Sequence, residues 1–169
     1  LALNLLSYVD NPFTKDAKFN FDLFRTHVAK AMRMMDDIID LELEKVDLII
    51  NKVASDPEEE DIRKVEYELW KKIKEMALKG RRTGLGITAE GDMLAALGLR
   101  YGSDEAIDFA VEVHRTLALS AYRASVKMAE ERGAFPIYDA AREASNPMIQ
   151  RIKEHDPELY EQMVKSGRR

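Results

Sequence analysis

Gly80-Arg-Arg-Thr-Gly-Leu-Gly-Ile-Thr-Ala-Glu-Gly-Asp92 is the stretch that decides how this chain folds. It interrupts a sequence that otherwise carries helical periodicity, and it places four glycines and two adjacent arginines within 13 residues. Glycine inside a regular element costs roughly 0.5–1 kcal/mol relative to alanine, so glycines this dense mark backbone that must approach something closely. Arg82 to Thr88 reads as a short strand, with Gly84 and Gly86 permitting close packing and Gly80 stopping the helix before it. Phosphate-loop readings fail on spacing. There is no GxxxxGK[ST], and the glycine after Gly86 is Gly91, so GxGxxG is not met either. Arg81 and Arg82 either bind phosphate or pair with buried carboxylates. With no nucleophile or general base beside them, the structural role is preferred.

Upstream of this segment, Leu1-Ala-Leu-Asn-Leu-Leu-Ser-Tyr-Val9 reads as one buried strand, followed by a turn at Asp10-Asn-Pro-Phe-Thr14. Asn20 is placed to cap a long helix to Ala54, whose stripe is Phe24, Val28, Met35, Ile39, Leu43 and Val46. A second helix is expected to open at Ser55-Asp-Pro-Glu-Glu59, with Asp56 as cap, Pro57 in the first turn and Glu59 closing a capping box. It should run to Lys79. Downstream, a helix over Ala89–Leu97 is expected to end at Gly98. Ser103 caps another over Asp104–Arg132, with Ile107, Val111, His114, Ala118, Ala121, Ser125 and Met128 on its apolar face and Gly133 as its stop. Asn146-Pro147 and Asp156-Pro157 open two short helices, the second closed by Gly167.

Length and composition narrow the function. The 169 residues suffice for one domain with a sizeable core, with no internal boundary, repeat or low-complexity linker. Net charge is −5, which opposes a nucleic-acid-coating role, because counterion release needs a basic face. No run of about 18 apolar residues is present, so no membrane span is expected. Cysteine is absent, which removes disulfides, thiolate metal sites and cysteine catalysis from this stretch. A cytoplasmic location is the default. A lone buried strand at an abrupt start suggests a fragment of a larger protein.

Asp36-Asp-Ile-Ile-Asp40 matches the DDxxD pattern by which prenyl-diphosphate synthases hold Mg²⁺ and diphosphate. Asp36 and Asp40 lie one turn apart on a helix, but a second such motif is missing. A solvated acidic face beside Lys30 and Arg33 is the preferred reading, and no metal site is expected. His27, His114 and His155 have no ligand spacing; His114 falls on an apolar face and reads as a core histidine. Tyr67, Trp70, Tyr101, Tyr122 and Tyr138 are scattered singly, which fits packing better than base stacking.

Taken in order, several pieces resemble the large catalytic chain of ribonucleotide reductase, in its adenosylcobalamin-dependent (class II) branch. They are Leu1-Ala-Leu-Asn-Leu5, Met34-Met-Asp-Asp-Ile-Ile-Asp40, Gly80 to Leu94, Leu97-Gly-Leu-Arg-Tyr-Gly-Ser-Asp-Glu-Ala106, Ala129-Glu-Glu-Arg-Gly-Ala-Phe-Pro136 and Gly167-Arg-Arg169. The resemblance implies a mostly helical fragment with two short strands, a slice of a ten-stranded α/β barrel. Leu1–Val9 and Arg82–Thr88 would be consecutive parallel strands, with Arg81, Arg82, Gly84 and Gly86 as structural barrel-strand residues.

The implied reaction replaces the ribose 2′-hydroxyl of a nucleotide with hydrogen through a cysteine thiyl radical generated from adenosylcobalamin. The family's radical cysteine and diphosphate-cradling turn have no counterpart among these residues, so no catalytic residue is carried over and no cofactor-binding residue is assigned. The stretch would be scaffold, inactive alone, with leucines 1, 3 and 5 presenting apolar strand surface. Implied partners of the parent are ribonucleotide substrate, nucleotide effectors, the rest of the polypeptide and a second copy. A metal-dependent (class I) large subunit and a non-catalytic helical interaction module are the competing readings.

Overall fold

The computed structural model describes Leu1–Arg169. Its backbone is built from helices, with two small pairs of strands holding the connections. Strand β1 (Ala2–Asn4) lies parallel to β4 (Gly86–Thr88), with Ala2 opposite Gly86, Leu3 opposite Ile87 and Asn4 opposite Thr88. A parallel pair needs a long crossover, and residues 5–85 supply it. The expected nine-residue strand ends early. Asn4 accepts from the Leu6 amide at 3.0 Å, and Leu5–Tyr8 turns into a 3₁₀ helix. Leu5 is therefore completely buried in the core, while Leu1 is exposed and Leu3 half-buried. Strands β2 (Val9–Asp10) and β3 (Lys18–Phe19) then form a second, antiparallel pair that the sequence did not announce.

Helix α1 runs from Phe21 to Ala54, started by Asn20, whose side chain accepts from the Leu23 amide at 3.0 Å. Phe24, Val28, Ile39, Leu43 and Val46 form its buried stripe as the spacing required. Met35 does not reach the interior; Asp36 takes that place. Helix α2 (Glu60–Gly80) returns antiparallel to α1, with Lys74 reaching Asp47. It starts later than expected: the Asp56 side chain accepts only from Glu58, and Glu59 precedes the helix without a side-chain cap. No residue of α2 is buried. Its apolar stripe of Ile62, Val65, Leu69, Ile73 and Met76 faces outward.

The left-handed residue that ends α2 is Arg81 (φ 40°), not Gly80, which remains helical. Helix α3 (Glu90–Ala96) follows β4, and α4 (Asp104–Arg132) is capped by Ser103 and ended by Gly133 at φ 86°. The buried side of α4 is not the one that hydropathy marks. Ile107, Val111 and His114 are exposed, whereas Ala106, Val113, Thr116, Ser120 and Val126 point inward alongside Ser125 and Met128. After the single turn α5 (Ala140–Glu143), α6 (Pro147–His155) and α7 (Pro157–Ser166) start at Asn146 and Asp156, each capping through its side chain with proline next in line.

Two apolar clusters sit at opposite ends of α4. One joins Leu5, Tyr8, Phe19 and Phe24 to Met93 and Val113; the Tyr8 and Phe24 rings meet edge-on at 4.9 Å. The other seats α6 and α7 against Val126 through Ile149, Ile152, Leu159 and Met163. Each such side chain contributes about 1.5–3 kcal/mol on burial. The chain after α7 is fixed by Gly167, where φ is 75° and an added Cβ would lie 2.6 Å from the Ala134 Cβ. Among the eight glycines this one has no room for a side chain.

Candidate functional site

The charged centre of the molecule is built on Asp36, a carboxylate that is 1% exposed in the middle of α1. Three arginines from distant parts of the chain converge on it. Arg81 Nε donates to Oδ1 at 2.7 Å, while Arg132 Nη1 and Arg169 Nε donate to Oδ2 at 2.8 Å each. Arg81 also donates to the Asp36 backbone carbonyl at 2.9 Å and to Asp40 at 2.8 Å; Arg132 reaches Asp37 at 2.7 Å. Three carboxylates thus meet three guanidiniums. Burial pushes the Asp36 carboxyl up, but the hydrogen bonds from Arg169, Arg81 and Arg132 and the Arg81 charge outweigh it and hold its pKa below the ordinary value. Desolvation pulls Arg81 down, and its bonds to Asp40 and Asp36 reverse that, leaving it raised.

This arrangement explains two departures from the sequence reading. The acidic run is not simply a solvated face, since Asp36 is internal and only Asp37 and Asp40 keep about half their side-chain surface in water. Arg33 pairs with Glu131 instead of the aspartates. A left-handed residue other than glycine costs roughly 1–2 kcal/mol, and at Arg81 that cost is offset by the bonds its guanidinium gains on Asp36 and Asp40. The carboxylate oxygens of Asp36, Asp37 and Asp40 come within 4.8 Å of one another, a spacing a metal could use. All three are already engaged by guanidinium, which makes the donor set a poor one for a cation.

Beside the node lies a cavity of about 610 Å³ between the 80–85 segment, α4, residues 135–137 and the Arg168–Arg169 backbone. Arg81, Arg82, Arg168 and Arg169 line it and no carboxylate does. The Arg168 guanidinium lies over the rings of Tyr122, Phe135 and Tyr138 at 5.2–5.9 Å and pairs with Glu143. Ser125 clamps Arg169, accepting from its amide at 3.1 Å and donating to its carbonyl at 2.6 Å. Arg82 is exposed and engages no carboxylate.

The four residues singled out as barrel-strand candidates are therefore separated. Arg81 belongs to the node, Arg82 to the cavity rim, Gly84 to the connection, and Gly86 alone to β4. An added Cβ at Gly84 or Gly86 would meet nothing within 4 Å among these 169 residues. His114 is a surface residue 3.3 Å from Glu90, not a core histidine. His27 touches the Tyr8 hydroxyl at 3.3 Å. Neither lines the cavity. Sequence reasoning missed Arg132 and Arg169 as partners of Asp36; their positions beside Gly133 and Gly167 mark a helix end and a turn but name no partner.

Comparison with known proteins agrees with the resemblance read from the sequence. The family model described as "Ribonucleotide reductase, barrel domain" matches residues 2–169. A vitamin B12-dependent ribonucleoside-diphosphate reductase of Mycobacterium tuberculosis is 32% identical over 127 residues, which is 75% of this chain and 15% of that protein. One of Thermoplasma acidophilum is 31% identical over 137 residues, 81% of this chain and 14% of that protein. The ribonucleoside-diphosphate reductase subunit alpha of Chlamydia pneumoniae is 26% identical over 141 residues, 83% of this chain and 11% of that protein. The chain thus spans about 15% of the length of the B12-dependent relatives it matches. On this match across nearly all of its residues, the chain belongs to the ribonucleotide reductase barrel-domain family.

Proposed function

We propose that this chain is a scaffold segment of the catalytic barrel in an adenosylcobalamin-dependent ribonucleoside-diphosphate reductase. The observation that carries the reading is the family match over residues 2–169, joined to two B12-dependent relatives above 30% identity. The parallel pairing of β1 with β4 supports it, because consecutive strands of an α/β barrel need that direction and a long helical crossover. In the parent, the pair would be neighbouring strands of a ten-stranded barrel, with Arg81, Arg82, Gly84 and Gly86 leading into and along the second of them. The helices would form the outer layer, and residues 1–169 would be a single unit within it.

The chemistry proposed for the parent is replacement of the ribose 2′-hydroxyl by hydrogen. Adenosylcobalamin would supply the radical. This chain holds no cysteine, so the sulfur chemistry falls to other parts of the polypeptide. What these residues contribute is rigidity: α1 fixes Arg81 just before β4, and a site carried on strands braced by packed helices is held more closely than one on loops. Substrate nucleotides, nucleotide effectors and a second copy are proposed partners of the parent, in a cytoplasmic setting. No helix is long and apolar enough to cross a membrane.

The test is to express the reading frame that contains this chain and assay reduction of ribonucleoside diphosphates. Deoxyribonucleotide formed only when adenosylcobalamin is added is the expected result. Product that requires a separate metal-bearing subunit would replace the reading with the class I alternative, and no product under either condition would overturn both.

A further inference from the structure

We propose that the cavity beside the aspartate node is an anion-binding site, with Arg82 as its recognition residue and a phosphate or carboxylate on an apolar body as its ligand. This inference is independent of the reductase chemistry, and rests on the proposed reading only in taking the chain as part of a longer polypeptide. Adjacent arginines look equivalent in sequence, yet the fold divides them. Arg81 turns inward and commits its guanidinium to Asp36 and Asp40, whereas Arg82 is exposed, lines both this cavity and the adjoining one that Glu42 borders, and makes no ion pair with a carboxylate. The other two cavity arginines are also committed, Arg168 to Glu143 and Arg169 to Asp36. No acidic residue lines the space. Arg82 therefore keeps an unmatched positive charge next to three other guanidiniums, a field that favours an oxyanion.

A guanidinium presents paired donors that fit a phosphate or carboxylate edge. Thr83, Tyr122 and Ser125 are hydroxyl-bearing residues of the lining, and Leu85, Phe135 and Ile137 supply an apolar wall. A volume near 610 Å³ falls in the range of small-molecule sites, roughly 300–1,000 Å³, and exceeds what a bare phosphate would fill. An anion carrying an aromatic or aliphatic group uses both the charge and the wall. Two sources have this chemistry: a free organic anion, and an acidic side chain from the rest of the parent polypeptide.

The experiment uses the full-length protein and titrates phenyl phosphate by calorimetry against wild type, Arg82→Gln, Arg82→Lys and the control Arg123→Gln, an exposed arginine paired with Asp156. If the ligand is free, wild type and Arg123→Gln bind alike, Arg82→Gln binds about tenfold or more weakly, and Arg82→Lys falls between. If an acidic side chain of the same polypeptide fills the site, phenyl phosphate does not bind. Arg82→Gln then lowers the melting temperature while Arg82→Lys restores most of it. An Arg82→Gln protein that matches wild type in both phenyl phosphate affinity and melting temperature overturns the proposal.

Discussion

Asp36 and Leu69 stand on adjoining helices in inverted surroundings. The carboxylate is sealed in the interior under three guanidiniums, and the leucine lies 53% exposed on a helix that buries nothing. Hydropathy alone would exchange them. The contrast teaches that burial in this chain follows connectivity more than side-chain type. Asp36 is inside because three segments lying up to 133 positions from it need a common counter-charge. Leu69 is outside because α2 touches the fold along one face only, through α1.

The contrast breaks most sharply under substitution of the node. Asp36→Asn keeps the shape and removes the charge, leaving Arg81, Arg132 and Arg169 crowded without their shared partner. Loss of one member of a buried ion network costs about 3–5 kcal/mol, and urea unfolding of the variant should show a loss of that order. A loss under 1 kcal/mol would mean that the three guanidiniums are satisfied by Asp37, Asp40 and backbone carbonyls without Asp36.

Acid sharpens the same point with a smaller effect. The folded pKa of Asp36 is depressed, so its contribution to stability is fully present above the unfolded carboxyl value of about 3.9. It is lost as pH falls through the lower folded value. Wild type should therefore lose more stability than Asp36→Asn between pH 5 and 2, each compared by thermal unfolding with its own neutral-pH midpoint. Parallel losses in the two proteins would show that other carboxylates govern acid unfolding. The smallest effect belongs to the other pole: Leu69→Ala should change stability by no more than about 0.5 kcal/mol, as exposed substitutions usually do. A cost of 2 kcal/mol or more, on the scale of a core truncation, would reveal that α2 is covered in solution.

Much of the helical frame was legible because its signals are local. Asn20, Ser103, Asn146 and Asp156 each accept a backbone amide two or three residues ahead, and a sequence window of that width contains the whole interaction. The parallel strand direction was implied by the family resemblance, and the distance between the two segments agrees with it. What escaped depends on partners far along the chain. Arg81 takes the left-handed conformation because Asp36 waits 45 positions upstream, and a rule that favours glycine there has no means of seeing that bond. Most of the inner face of α4 was missed because it carries Ala106, Thr116 and Ser120, small residues that fit close helix packing but give little hydrophobic signal. The site was legible in composition only. The paired arginines stood out, but nothing local said that one would be consumed by the interior and the other left facing a cavity.

The position of Asp36 along α1 has a mechanical consequence. It falls near the midpoint of a 34-residue helix, so the clamp acts as a fulcrum with arms of similar length on either side. The arm from Asp36 to Ala54 is about 27 Å at 1.5 Å per residue, so a tilt of about 5° at the clamp would sweep the far tip by roughly 2.4 Å. Arg81, gripped at the pivot, would scarcely move. Swaying of the hairpin can therefore be large at its tip while the backbone leading into β4 stays still.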